Sequence, residues 1–304
     1  MTPATAKTGP GRPPKKAATA ARKPGARGRI KPRTYERFHW AQRVAHILLL
    51  TSFTLLAATG LPQKYALQGW AQSMVRGFGG IETTRLIHHV AAVVLMLLTT
   101  YHILDVAYKV FVRRVQLSML PGIKDVKDGW QSLTYNLGFS KKRPQMGRYT
   151  WEEKLEYWAL VWGTIIMGIT GFMMWNPITT TRLLPGEVIP AAKAAHGGEA
   201  FLAVAAIILW HMYSVHLKRF NKSMFTGRMT EEEMLHEHPL ELADIKAGLA
   251  ERPIDPQTLR KRQSIFWPIA ILLALALLAG IYFFIIGEST AVATAAALLR
   301  WSAS

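Results

Sequence analysis

Four histidines carry the clearest chemical signal in this 304-residue chain. His46, His88, His196 and His211 all fall inside apolar stretches of membrane-crossing length. A neutral imidazole in hydrocarbon needs a partner, so ionisable groups there are functional candidates. Their depths pair if successive stretches alternate in direction. His46 opens the first stretch and His211 lies late in the fourth; His88 opens the second and His196 the fourth. Fifteen residues at about 1.5 Å each set His196 and His211 ~22 Å apart, and at about 100° per residue they stay within about 60° of one another. Two imidazoles at each of two depths is a donor set for two stacked b-type haems, His88 with His196 in an outer layer and His46 with His211 in an inner one. Such a pair of centres would carry electrons across a membrane.

Other residues join or contest this set. Arg43 precedes His46 by three and Arg85 precedes His88 by three, each about a turn nearer the headgroups, where a guanidinium could meet a haem propionate or simply snorkel. His102 lies fourteen residues after His88, so it shares that helix face and reaches the inner layer; it rivals His46 as partner of His211. His39 is expected in water, His89 about 100° away from His88, His216 at the interface, and His236 and His238 in a soluble loop. Gly60, Gly163, Gly168 and Gly171 would permit close approach of helices or of a macrocycle. Tyr149, Glu152 and Glu153 could supply protons from the cytoplasm, or merely form a solvated helix start.

The elements that must position these groups are membrane helices. Half of the residues are hydrophobic and mean hydropathy is +0.12. Five spans are expected at 44–62, 86–111, 155–176, 196–217 and 265–287. Residues 1–43, 109–154 and 217–263 hold 12, 10 and 9 Lys+Arg, against 2 each in 61–84 and 176–195. Basic loops stay in the cytoplasm, which puts the N-terminus inside and the C-terminus outside. The net charge of +18 therefore follows topology and does not call for nucleic acid. No cysteine is present, which excludes disulfides, Cys-held iron–sulfur clusters and C-x-x-C-H haem attachment within this chain. The basic tail ahead of the first span argues against a cleavable signal peptide. A transporter would need broken helices or midplane acids, and Asp105, counted as the only acid within the spans, is well away from the midplane.

Away from the spans, residues 1–36 read as a disordered basic tail that could meet anionic lipid. Loop 112–154 has its own aromatics and should fold against the membrane surface or a partner. Thr230 with Glu233 forms a capping-box signature for a short cytoplasmic helix that Pro239 would end. No internal repeat is evident.

Several segments resemble one family. RVAHILLLTSFTLLAATG (43–60) is similar to the first helix of the gamma, cytochrome b subunit of respiratory formate dehydrogenases and nickel–iron hydrogenases, where R-x-x-H stands fourteen residues before Ser/Thr-Gly. RLIHH (85–89), GRYTWEEKLEYW (147–158), ITGFMMWNP (169–177) and AAHGGEAFLAVAAIILWHMY (194–213) resemble its later helices. The likeness covers roughly 37–220 and selects His46 over His39 and His102. It implies two b haems in series, with electrons arriving at the outer haem from an iron–sulfur subunit fed by a catalytic subunit. Menaquinone or ubiquinone would then be reduced at the cytoplasmic face. The fifth helix, the basic tail, His102 and a spacing one residue longer on the fourth helix depart from the pattern, as do Thr150, Glu152 and Glu153 at the quinone position.

The expected fold is an all-α integral membrane protein: a four-helix haem-binding bundle over 37–220, a cytoplasmic loop over 221–263, and a fifth transmembrane helix with an outer tail over 264–304. The expected function is a b-type cytochrome subunit in the inner (plasma) membrane, relaying electrons between a partner redox subunit and the quinone pool. Bis-His ligation would leave no open iron position. A quinol-oxidising subunit serving an outer multihaem cytochrome, or a haem-free membrane anchor, are the alternatives.

Overall fold

The computed structural model describes residues 33–218, 220–250 and 253–286. Most of the basic tail and the outer tail after 286 lie outside the described residues. The element order is β1 (Thr34–Glu36), α1 (Trp40–Lys64), α2 (Gly69–Gly77), α3 (Ile81–Ala107), α4 (Ile123–Asn136), α5 (Trp151–Trp175), α6 (Pro177–Leu183) and α7 (Val188–Ala206). α8 (Ser223–Thr226), β2 (Arg228–Thr230), α9 (Glu231–Glu237), α10 (Pro239–Lys246) and α11 (Pro256–Ile286) follow. Single π-helical stretches extend α3 over Tyr108–Val112 and α7 over Ile207–His211 and Tyr213–Leu217. Five of these helices, with their extensions, are long and apolar enough to cross a membrane: Trp40–Lys64, Ile81–Val112, Trp151–Trp175, Val188–Leu217 and Pro256–Phe283. Leu209 and Leu272 are 74% and 70% exposed on them, as side chains facing lipid must be. The protein is an all-α multi-pass membrane protein.

α1 packs along α3, α5 along α7, and α1 also meets α7; α11 lies against α3 and its π-helical end. The π-helical turn of α3 frees a carbonyl there, and Arg262 of α11 donates to Val112 O at 3.2 Å while Gln263 donates to Tyr108 at 2.9 Å.

A repeat absent from the sequence reading emerges from this arrangement. α1 and α5 are both 25 residues long, begin on Trp and are closed at the N-terminus by a capping box, His39 with Gln42 and Thr150 with Glu153. Counted from those tryptophans, the same positions carry a cation (Arg43, Lys154), a ring (His46, Tyr157) and a Thr-Gly pair (Thr59-Gly60, Thr170-Gly171). α3 and α7 repeat in turn, with Arg85 and Lys193 each three before His88 and His196. His102 then matches His211, once the extra residue of α7 is absorbed by its π-helical turn at Ile207–His211.

The side of the bundle that carries the strand before α1 is more structured than loops alone. Thr34–Glu36, expected within the disordered tail, instead pair antiparallel with Arg228–Thr230. The capping box at Thr230 and Glu233 forms as expected, and Pro239 both ends α9 and opens α10. Met229, Met234 and Leu242 make a small core under Tyr35 and Ile245. Arg37, 2% exposed, reaches Glu241 at 2.7 Å and Glu153 at 3.5 Å, and Arg148 also grips Glu241. α4 docks on the start of α5 through Lys154–Asp125 (2.7 Å) and a Trp151 to Ser132 hydrogen bond (3.0 Å). Two acids left out of the earlier count, Glu156 and Glu199, lie within the spans.

Candidate haem sites

The outer layer is built from two identical local devices. Thr59 of α1 sits 2.9 Å from Nδ1 of His88 on α3, and Thr170 of α5 sits 2.9 Å from Nδ1 of His196 on α7. Each threonine hydroxyl donates to its own helix one turn back, to Leu55 O and Ile166 O, both at 2.6 Å. Its single hydrogen is thereby used, so its oxygen accepts from the imidazole. The proton is fixed on Nδ1, and the lone pair of Nε2 is left as the donor of each ring. Next to each threonine stands a glycine. A Cβ on Gly60 would come within 3.0 Å of His88 Cε1, and one on Gly171 within 3.5 Å of His196 Cε1. The missing side chains let each ring lie flat along the neighbouring helix.

His88 and His196 then face each other with ring centroids 6.4 Å apart. Two metal–imidazole bonds of about 2 Å, plus the half-width of each ring, require about that spacing. His88 and His196 are therefore spaced as two imidazoles that would hold one haem iron between them. Lys64, from the outer end of α1, donates to Gly197 O at 2.6 Å, which sets a cation one residue from His196. Arg85 lies at the same end, 4.0 Å from Glu82 and partly exposed.

The inner layer is less symmetric. His211 Nδ1 meets Glu156 Oε2 at 2.8 Å, and Glu156 Oε1 meets Ser214 Oγ at 3.0 Å. His46 stands near the start of α1, and its Nδ1 is buried without a hydrogen bond. His216, expected at the interface, stands edge-on to His211 with centroids 6.3 Å apart. His102 points to the other half of the repeat, where its Nε2 is 2.9 Å from the Tyr157 hydroxyl. That contact occupies the nitrogen best placed to ligate. His89 stacks on Trp175 at 3.8 Å.

The remaining candidates are held by protein groups. Arg43 bonds Phe225 O in α8, with its Nε buried and free of hydrogen bonds. Glu153 caps α5 by accepting from Thr150 N at 2.8 Å, and Tyr149 lies under the guanidinium of Arg37 (5.3 Å). His39 caps α1, and His238 is buried, donating through Nδ1 to Gly147 O at 2.9 Å. Sequence reasoning passed over Thr59, Thr170, Glu156 and Lys64. The repeated Thr-Gly pair was the available signal for the first two.

Known proteins of similar sequence are cytochrome b subunits. Formate dehydrogenase, nitrate-inducible, cytochrome b556(Fdn) subunit, from Escherichia coli K12, is 21% identical over 223 residues, covering 73% of this chain and 96% of its own length. Its counterparts in Escherichia coli O157:H7 and Shigella flexneri match to the same extent. The sequence pattern of one family spans residues 11–122 and 127–230, which takes in all four bundle helices and every histidine of the two layers. The chain belongs to the prokaryotic cytochrome b561 family.

Proposed function

We propose that this membrane b-type cytochrome of a respiratory oxidoreductase holds two haems b in series, the outer between His88 and His196 and the inner between His46 and His211. It relays electrons between a partner redox subunit and the quinone pool. The observation that carries the reading is the outer pair: two imidazoles 6.4 Å apart, each with Nδ1 tied to a threonine and Nε2 free to ligate. The inner pair rests on shared depth, on the buried and unbonded Nδ1 of His46, and on the engagement of His102 by Tyr157. Haem supplies one-electron chemistry when bound. The chain's own residues aim the imidazoles, exclude water and space the layers by ~22 Å along α7.

The relatives are named as subunits of a formate dehydrogenase. On that likeness the partners are an iron–sulfur subunit and a catalytic subunit, with quinone exchanging near the inner layer and Arg43, Arg85 and Lys64 available to propionates. The basic segments support an N-terminus in the cytoplasm and a location in the inner membrane.

A reduced-minus-oxidised spectrum with a pyridine haemochrome count on the detergent-purified chain tests this. Two low-spin haems are expected. His88→Ala and His196→Ala should lose the same haem, His46→Ala and His211→Ala the other, and His102→Ala neither. Loss of the inner haem in His102→Ala but not in His46→Ala would transfer the inner ligand to His102, and a well-folded chain without haem would refute the reading.

A further inference from the structure

The Nδ1 partners of these imidazoles differ between the layers. In the outer layer both are threonine hydroxyls, neutral and already bonded to their own helices. In the inner layer His211 has a carboxylic group instead, Glu156 Oε2 at 2.8 Å, and the other oxygen of Glu156 meets Ser214 one turn further along α7. In the repeat, Glu156 of α5 occupies the position that Ala45 occupies in α1. The acid is therefore present in one half of the bundle only, against the one inner histidine that has a side-chain partner of this kind.

We propose that Glu156 is a positioning residue that fixes the ring of His211 and lowers the reduction potential of the inner haem relative to the outer one. The inference rests on the reading of His211 as an inner ligand. An imidazole whose N–H is shared with a carboxylate donates more strongly through Nε2 than one bonded to a hydroxyl. Negative charge a few ångströms from the iron also favours ferric over ferrous iron, and more so in a low-dielectric interior. The step concerned is the transfer of one electron to or from the iron; no bond to Glu156 forms or breaks. The outer haem, flanked by Thr59 and Thr170 and approached by Lys64, lacks this bias and is easier to reduce. Electrons then rest on the outer centre, and the inner centre is the stronger reductant towards its acceptor.

The test is a spectroelectrochemical titration of the full chain loaded with haem, with His46→Ala, which keeps only the outer haem, assigning the two midpoints. Glu156→Gln keeps the shape and an oxygen acceptor while removing the charge. It should retain two haems, raise the inner midpoint, leave the outer one unmoved and alter only the inner low-spin EPR signal. Unmoved midpoints with two haems present, or equal shifts of both, would overturn the proposal. If Glu156→Gln does not hold the inner haem, Ser214→Ala decides. The single hydrogen of Ser214 is shared between Trp210 O at 2.8 Å and Glu156 Oε1 at 3.0 Å; removing its share from the carboxylate should move the inner midpoint down, opposite in sign to the Gln variant, and no movement would overturn the proposal. Failure of the underlying ligand assignment looks different: His211→Ala would keep two haems, and the inference would fall with it.

Discussion

At the scale of single residues, the outer layer depends on groups that never touch the iron. Thr59 spends its only hydrogen on Leu55 O and so can do nothing but accept from His88. Replacing it with valine keeps the volume and leaves a buried N–H unpaired and the ring free to swing. Partners of this kind are worth about 10–100-fold in metal-centre affinity, so Thr59→Val should loosen the outer haem by that order and spare the inner one. The neighbouring glycines are graded by space. The Cβ of Gly60→Ala would be 3.0 Å from His88 Cε1, so that the ring must give by a few tenths of an ångström, while that of Gly171→Ala would be 3.5 Å from His196 Cε1, an ordinary contact. Gly60→Ala is therefore expected to cost outer-haem occupancy and Gly171→Ala to cost little. Haem stoichiometry after detergent purification reads both, and equal loss in the two alanine variants would refute the steric account.

At the scale of elements, α7 carries one residue more between its histidines than α3 does, and the π-helical turn at Ile207–His211 takes up the excess. Without it, the fifteen-residue spacing would leave His211 about 60° to one side of His196, where the fourteen-residue spacing of α3 leaves His102 about 40° to the other side of His88. Deleting Ile208 should let the turn relax to α-helix with His211 still facing inward and both haems bound. Inserting one alanine after Ile208 should cost the inner haem alone. A haem count of two in the insertion variant would show that α7 does not set the register. The spans themselves and the closeness of His88 to His196 were legible in the chain, because apolar length and a 3.6-residue period are local properties. The capping box at Thr230 was legible for the same reason. Thr34–Glu36 was not: a three-residue strand exists only through its partner Arg228–Thr230, nearly two hundred residues away. Glu156 escaped notice because hydropathy treats an acid near a span's end as solvated, whereas α7 supplies it with two polar partners. The repeat escaped because the residues that recur are few and small, and because the extra residue in α7 breaks the register.

At the scale of the molecule, a polar cap at one end of the bundle gathers the strand before α1, the loop before α5 and the helices between α7 and α11, and it does so around charges that have left water. Arg37 is held by Glu241 and Glu153, and Arg148 shares Glu241. In their midst His238 is 1% exposed, donating to Gly147 O. Burial, and then the nearby Arg37, push its pKa down from 6.5 to about 4. The folded cap thus keeps this imidazole neutral, while an unfolded chain would take up a proton near pH 6.5. Below that value the unfolded state binds the extra proton, so stability falls as pH falls, by up to about 1.4 kcal/mol per pH unit. The loss accumulates to roughly 3 kcal/mol by about pH 4, where the folded imidazole protonates too and the slope vanishes. Above pH 6.5 the group contributes no pH dependence. His238→Asn keeps an N–H donor and removes the titration. Thermal unfolding in detergent between about pH 7.5 and 4.5 should therefore give wild-type and variant curves that run parallel above pH 6.5 and separate below it, the wild type dropping more steeply. Carboxylates of the cap, Glu241 among them, titrate in both proteins and cancel in the difference, so curves that stay parallel throughout would show that His238 is charged in the folded cap.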